Sequence, residues 1–177
     1  MRATGIVRRI DELGRVVIPK EIRRTQRIHS GDALEIFTDG KGEVVFKKYS
    51  PLAELGEPAA AYADVLARRL GCGVAVCDRE KIVAAAGAGR SELLDEPLPP
   101  ELDALLARRK LYTAPEEPLH RVALGRRWLL CAAPVLVHGD IEGGVLLPGM
   151  RRDAVPDPEA IRAAATAAEF LARWMGE

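Results

Sequence analysis

The sequence predicts an α+β protein in two parts, a small strand-rich segment over residues 1–50 and a larger helix-and-strand domain over residues 59–177. Short apolar runs separated by glycine turns fill the first part, a pattern typical of strands. After the Ser50-Pro51 break, apolar residues recur at spacings of three and four, which is typical of amphipathic helices. Residues 51–58, which hold two prolines and a glycine, are predicted to be a linker.

The charge distribution also divides the chain. It carries 26 basic and 26 acidic residues, but residues 1–49 hold 11 Lys and Arg against 7 Asp and Glu, whereas residues 50–177 hold 15 against 19. Within residues 1–27 the imbalance is 8 against 3. A basic N-terminal segment followed by an acidic remainder indicates that the N-terminal segment faces nucleic acid.

Glycine and proline residues mark the boundaries of the predicted elements in the N-terminal segment. Gly14 suits a turn that needs a positive φ, and Pro19 suits the first position of a helix. Strands are predicted at residues 4–10, 15–18, 33–38 and 43–49, and a short helix at residues 20–26. So few short elements bury little apolar surface, and with no metal or disulfide available we expect dimerisation to complete the fold.

The second part alternates helices with antiparallel strands. Helices are predicted at residues 59–70, 101–110 and 159–175, and strands at residues 73–77, 82–86, 121–124, 128–137 and 141–147. The inward stripe of the first helix is predicted as Tyr62, Val65, Leu66 and Arg69, and that of the last as Ile161, Ala164 or Ala165, Ala168, Leu171 and Met175. The first and last helices are expected to lie together on one face of the sheet, and the alanine-rich last helix is suited to pairing across a subunit boundary.

Residues with catalytic or ligand-binding chemistry are sparse. Cys72, Cys77 and Cys131 lie in apolar runs and are predicted to be reduced core thiols rather than disulfide or metal ligands. His29, His120 and His138 are isolated, so no catalytic or metal site and no cofactor is predicted, and we expect the chain not to be an enzyme. The segment from Gly87 to Arg90 could cradle an anion, but its spacing matches no phosphate-binding pattern and a plain loop is favoured.

Location follows from hydropathy. No apolar run has membrane-spanning length, and the first residues lack the apolar core of a signal peptide. A cytoplasmic protein is therefore expected.

The stretch TGIVRRIDELGRVVIPKEIRRTQRI, followed by GDALEIF and VVFKKY, resembles the SpoVT/AbrB family of swapped-hairpin DNA-binding domains. The resemblance covers residues 3–49. It implies that two chains interleave their hairpins into one dimeric β-barrel whose arginines contact double-stranded DNA. The matching positions are Arg8, Arg15, Arg23 and Arg24, and Arg9 stands where basic residues are also usual. The overall layout is similar to that of family members in which a GAF-like α+β domain follows.

The resemblance implies a sequence-selective transcription regulator, acting on sporulation genes as an activator or repressor. Arginine suits this role because its planar donor fork matches phosphates and guanine edges and keeps its charge. Alternatively, these arginines pair with Asp11, Glu12 and Glu21 on an ordinary solvated face. The GAF-like domain either binds a small-molecule effector, in a pocket lined by parts of residues 74–90 and 128–147, or joins dimers into a homotetramer.

A different class of function is a protein-binding module, because the same N-terminal fold occurs in antitoxins that bind a toxin through a disordered tail. The predicted globular second domain argues against that alternative.

Overall fold

The computed structural model describes residues 4–26 and 28–176, which form two compact units, one up to Tyr49 and one from Ser50 onward. The helices are α1 (Lys20–Thr25), α2 (Pro51–Glu54), α3 (Gly56–Leu70), α4 (Arg90–Leu93), α5 (Pro100–Leu106) and α6 (Pro158–Met175). The strands are β1 (Leu34–Thr38), β2 (Val44–Lys48), β3 (Val74–Cys77), β4 (Ile82–Ala86), β5 (Tyr112–Thr113), β6 (Ala123–Leu124), β7 (Arg127–Val137) and β8 (Asp140–Gly149).

The N-terminal unit contains α1 and the antiparallel hairpin β1–β2. Leu34 lies opposite Lys48, and Thr38 lies opposite Val44. The side chain of Asp39 closes the turn between the strands by accepting hydrogen bonds from the backbone amides of residues 41 and 43. Helix α1 follows Pro19, as the sequence predicts.

The strands predicted at residues 4–10 and 15–18 are not formed within this chain. Residues 4–19 contain no strand, and their backbone is organised only around one tight loop in which the amide of Asp11 donates to the carbonyl of Arg15. Gly14 in this loop has the predicted positive φ, at 76°. An alternating pattern forms a strand only if a neighbouring strand supplies hydrogen bonds, and among residues 4–26 and 28–176 this segment has no such neighbour.

The second unit is built on a six-stranded antiparallel sheet in the order β4-β3-β8-β7-β5, with β6 pairing to β7. Strands β7 and β8 form its longest hairpin and turn at His138 and Gly139, both at positive φ. β3 lies between β4 and β8 and is buried along its whole length. The two-part α+β fold class predicted from the sequence is confirmed.

Helices cover both faces of this sheet. α3 and α6 lie together on one face, as predicted, where buried alanines from both helices pack on valines and cysteine of the sheet. The opposite face carries a second core, in which leucines from α4, α5 and the segments beside them pack on β3, β4, β7 and β8. The predicted core thiols are confirmed for Cys77 and Cys131, which are buried, whereas Cys72 is half-buried and all three are free.

The linker predicted at residues 51–58 is wrong. Pro51–Glu54 is helical, α3 already begins at Gly56, and Leu52 is fully buried in the core. Pro51 and Pro58 stand in the first turns of α2 and α3, where a missing amide hydrogen breaks no helical hydrogen bond. Prolines that mark a break in the pattern therefore also start two helices.

The inward stripe predicted for α3 is only partly correct. Its buried residues are Ala59, Ala63 and Ala67, with Tyr62 and Leu66 half-buried beside them, whereas Val65 is 57% exposed. Small alanines let the helix backbone lie close to the sheet, so the larger residues flank the contact. On α6 the buried stripe includes Ala164, Ala168 and Leu171 as predicted.

Three further elements differ from the prediction. α5 ends at Leu106 rather than at residue 110, because Leu102 and Leu106 are its last buried residues and Arg109 takes a positive φ. The strand expected at residues 121–124 is reduced to β6, and the short strand β5 was missed because two residues carry no periodicity.

Candidate nucleic-acid interface

The N-terminal unit carries an apolar surface that its own chain does not cover. Among the described residues up to Tyr49, only Pro19 is buried. Large apolar side chains that lie exposed are Ile6, Val7, Ile10, Leu13, Val16, Val17, Ile36, Phe37, Val44 and Phe46. Val7 is 84% exposed and Ile36 is 61% exposed. So large an exposed apolar surface on a unit in which the described residues form no core is typical of an interaction surface.

The β1–β2 hairpin shows which surface that is. Side chains alternate across a strand, so Leu34, Ile36, Val44 and Phe46 share one face, with Ile36 directly opposite Phe46. On the other face the ammonium group of Lys47 lies 4.5 Å from the centre of the Phe37 ring. Ile36, Val44 and Phe46 therefore form an exposed apolar cluster on one face, beside Lys48 and Thr38, while the other face carries Glu35 and Lys47 with Phe37 and Val45.

Arg8, Arg9 and Arg15 lie in the strandless segment and are exposed. The Nε of Arg15 donates to Oδ2 of Asp11 at 2.8 Å, while the other carboxylate oxygen accepts from the Arg15 and Leu13 amides. The Arg15 backbone amide, and after it the Arg15 guanidinium, holds the pKa of the Asp11 carboxyl below its usual range. The alternative of a plain surface ion pair thus applies to Arg15, whose guanidinium Asp11 orients.

Arg23 and Arg24 lie on α1, three and four residues after Lys20, so the three cations are neighbours on one helical surface. Ile22 points inward and is half-buried, as predicted. Within the described part of this unit, neither Arg23 nor Arg24 forms an ion pair with Glu21 or any other carboxylate. These two arginines are therefore available to an external anion, and their charge is uncompensated locally.

The second unit offers less chemistry. Across the described residues, no group of three or more His, Cys, Asp or Glu side chains is placed to hold a metal ion. Burial raises the pKa of the Cys131 thiol to about 12 and also raises that of Cys77, which keeps both thiols protonated. Of the helices that the structure describes, none is long and apolar enough to cross a membrane.

The glycine loop after β4 has a structural explanation. Gly89 adopts a φ of 94°, and a Cβ atom there would lie 2.1 Å from Nε of Arg127. Arg127 is buried, and its Nε donates to Glu92 at 3.1 Å. The loop therefore packs over a buried arginine, in agreement with the plain-loop interpretation.

The pocket predicted between residues 74–90 and 128–147 coincides with packed core. On the side of the sheet away from α3 and α6, side chains from these ranges contact Leu93, Leu98, Leu102 and Leu106. Small-molecule binding there stays a prediction.

Sequence comparisons divide the chain in the same two parts. Residues 54–176 match the family described as "Stage V sporulation protein T C-terminal, transcription factor", and residues 7–53 match "Antidote-toxin recognition MazE, bacterial antitoxin". Stage V sporulation protein T of Bacillus subtilis is 41% identical over 99% of both chains. The transition state regulatory protein AbrB of the same organism is 59% identical over 29% of this chain and 52% of its own.

Two solved structures are similar to one part each. The N-terminal DNA recognition domain of Bacillus subtilis AbrB is 59% identical, covers 29% of this chain and 94% of its own, and has a TM-score of 0.26. The structure described as "Crystal structure of A. Aeolicus nlh2 gaf domain in an inactive state" is 16% identical, covers 72% of this chain and 86% of its own, and has a TM-score of 0.49.

Proposed function

Because this chain belongs to the stage V sporulation protein T family of transcription factors, we propose that it is a sequence-selective regulator that binds double-stranded DNA through Arg8, Arg9, Arg15, Arg23 and Arg24. The observation that carries the proposal is the N-terminal unit itself. It combines five exposed arginines, of which Arg23 and Arg24 have no carboxylate partner among the described residues, with a large apolar surface that the described residues leave exposed. Sporulation genes are the proposed targets, and the cytoplasm is the proposed location.

Dimerisation brings two such arginine sets together. Ten guanidinium groups would then be available per dimer, and if about half of them neutralise phosphates, the binding constant falls with salt with a log–log slope on the order of −4. In this proposal Arg23 and Arg24 contact DNA from α1, while Asp11 holds Arg15 in one orientation. Orientation of that kind reduces the side-chain entropy lost on binding.

The test is a fluorescence-anisotropy titration of labelled promoter DNA at several salt concentrations. An Arg8→Ala, Arg23→Ala double variant removes four guanidinium groups per dimer and is expected to weaken binding at least tenfold and to make the salt slope shallower by about 2. An Arg126→Ala, Arg162→Ala variant, which removes the same charge from exposed positions of the second unit, is the control. Equal binding by the two variants would contradict the proposal.

The competing function is an antitoxin-like module, which the match of residues 7–53 to an antitoxin family favours. Antitoxins with this N-terminal fold bind their toxin through a disordered tail, whereas residues 50–176 here form a packed α+β unit. A chain that binds promoter DNA by itself, with no second protein added, supports regulation. Binding that requires a co-purified basic protein would favour the antitoxin.

For the second unit we propose a non-enzymatic role in joining dimers into a tetramer. The ring of Tyr62 on α3 stacks on Phe170 of α6 at 5.0 Å, and Phe170 contacts Trp174 edge-on at 5.4 Å. Phe170 and Trp174 remain exposed, so an aromatic surface runs across both helices. Light scattering on the wild type and on a Phe170→Ser, Trp174→Ser variant tests this, since the variant is expected to stop at the dimer.

The alternative role for this unit is to sense a small-molecule effector. An effector changes DNA affinity only as far as it binds one arrangement of the protein more tightly than another. A thermal-shift screen of the full chain against metabolites tests this role. A compound that raises the melting temperature and also changes the DNA titration would establish sensing.

A further inference from the structure

The loop at residues 11–15 is closed by a single aspartate side chain. Oδ1 of Asp11 accepts hydrogen bonds from the backbone amides of Leu13 and Arg15 at 3.0 and 2.8 Å, and the Asp11 amide donates to the Arg15 carbonyl at 3.0 Å. The amide of Gly14 donates to the Asp11 carbonyl at 3.0 Å. These contacts fix the backbone of the loop and use only one of the two carboxylate oxygens.

The second carboxylate oxygen fixes a side chain. Oδ2 of Asp11 accepts from Nε of Arg15 at 2.8 Å, and within residues 4–26 and 28–176 this is the only hydrogen bond of the Arg15 guanidinium. The two terminal amino groups of Arg15 have no partner there, and the side chain is 70% exposed. The guanidinium is thus held at its Nε edge and presents its outer pair of donors to solvent.

The effect of this contact is on orientation more than on stability. An exposed ion pair stabilises a protein only slightly, because water and salt screen it. A carboxylate beside a DNA-binding surface also repels phosphates, so Asp11 weakens the general attraction for DNA. Among the described residues, Arg15 is nevertheless the one arginine of the proposed site that contacts a carboxylate. The contact favours DNA binding only if the fixed direction of the guanidinium is itself used.

We propose that Asp11 is a positioning residue that makes Arg15 a reader of base edges rather than a contact to phosphate. The two outer donors of a guanidinium match the O6 and N7 acceptors of guanine in the major groove. Phosphate contacts carry no sequence information, so an arginine that serves only for attraction gains no selectivity from a fixed direction. The inference rests on the DNA binding proposed above and adds the residue that gives Arg15 its selectivity.

The test compares Asp11→Asn with Glu12→Gln. Asparagine keeps an oxygen that can accept from the Leu13 and Arg15 amides, but its side-chain nitrogen cannot accept a hydrogen bond from Nε of Arg15. Glu12→Gln removes the same charge from the next residue, which is exposed and forms no ion pair within the described part of the chain. The two variants therefore share the effect of charge, and only Asp11→Asn loses the orientation.

The quantity to measure is the ratio of the affinities for a duplex that the protein selects from a random-sequence pool and for the same duplex with its sequence scrambled. Glu12→Gln is expected to bind both duplexes about twofold more tightly and to keep the ratio. Asp11→Asn is expected to lower the ratio about tenfold by weakening binding to the selected duplex alone. In an Arg15→Ala background, Asp11→Asn is expected to leave the ratio unchanged, since Asp11 acts through Arg15.

NMR of the free protein measures the contact itself, and the signal of the Arg15 Nε–H is expected to shift between the wild type and Asp11→Asn. An unchanged signal, or a wild-type affinity ratio in Asp11→Asn, overturns the positioning role and leaves DNA binding intact. Equal weakening on both duplexes, or the same loss of ratio in the Arg15→Ala background, shows a purely structural role and also overturns it. A wild-type chain that selects no duplex instead overturns the proposed function.

Discussion

Two glycines at similar backbone angles separate the cost of a positive φ from the cost of a collision. Gly89 and Gly139 have φ values of 94° and 91°, but an added Cβ meets Arg127 at Gly89 and open space at Gly139. Gly139→Ala is expected to lower the free energy of unfolding by about 1 kcal/mol, and Gly89→Ala by about 3 kcal/mol because the buried Arg127–Glu92 pair must also move. Urea unfolding monitored by tryptophan fluorescence measures both free energies of unfolding. Equal losses of stability in the two variants would show that the Arg127 side chain can move at no cost.

The three thiols are expected to differ in reactivity. Thiolate is the reactive form, and burial raises the pKa of Cys77 and Cys131, so at pH 8 both remain protonated and inaccessible. Cys72 is half-buried, so its thiol is more accessible than the other two, and its pKa is raised first by burial and then by the charge of Asp157. Alkylation with iodoacetamide, read by mass spectrometry, should modify Cys72 first and the other two only in urea. Early labelling of Cys77 would contradict the buried assignment.

At the scale of elements, the contact of α3 with the sheet depends on alanine. Ala63 is fully buried, whereas Ala61, two residues earlier on the same helix, is exposed. Ala63→Leu forces the helix away from the sheet and is expected to cost about 2 kcal/mol in the free energy of unfolding. Ala61→Leu adds the same atoms in solvent and is expected to change it by less than about 0.5 kcal/mol. An Ala63→Leu variant with the same free energy of unfolding as the wild type would show that the helix can move away from the sheet without a loss of stability.

The sequence predicted the elements whose apolar residues extend over most of their length. β4 and the bodies of β7 and β8 were found as apolar runs, and the body of α6 was found by apolar residues at spacings of three and four. Periodicity did not predict α2, because that helix is only one turn long. It also predicted the wrong contact residues on α3, where alanines pack on the sheet in place of the larger residues that were expected to do so. It also predicted strands at residues 4–10 and 15–18 that the structure does not contain, because an alternating pattern does not identify a strand with which the segment can pair.

The residues of the proposed site, and those that hold the start of the second unit, also divide into those that the sequence could predict and those that it could not. Arg8, Arg9, Arg15, Arg23 and Arg24 were predicted as DNA contacts from the family resemblance, and all five are exposed, as is usual for arginine. The Asp11 contact to Arg15 is also local, since the two residues are four apart. By contrast, the Asp78 carboxylate accepts a hydrogen bond from Ser50, and Gly143 lies against Leu52, across long stretches of sequence. No pattern within the chain marked those residues, because their roles arise only when β3 and β8 pair.

At the scale of the whole molecule, the uncovered apolar faces of the N-terminal unit predict that its folding depends on association. Ile36 lies at the centre of the apolar face of the β1–β2 hairpin, so Ile36→Glu would place a charge in the proposed dimer interface, where burying an unpaired carboxylate is costly. Lys41→Glu, in the exposed turn of the same hairpin, adds a carboxylate outside that face. Analytical ultracentrifugation and hydrogen exchange measure the outcome. We expect Ile36→Glu to lose the N-terminal dimer, to exchange rapidly before residue 50 and to lose DNA binding, while the second unit keeps its protection. Lys41→Glu is expected to retain the dimer, with DNA affinity reduced only through its charge. If an Ile36→Glu chain stays dimeric and keeps slow hydrogen exchange in β1 and β2, a surface other than this hairpin face forms the dimer interface of the N-terminal unit.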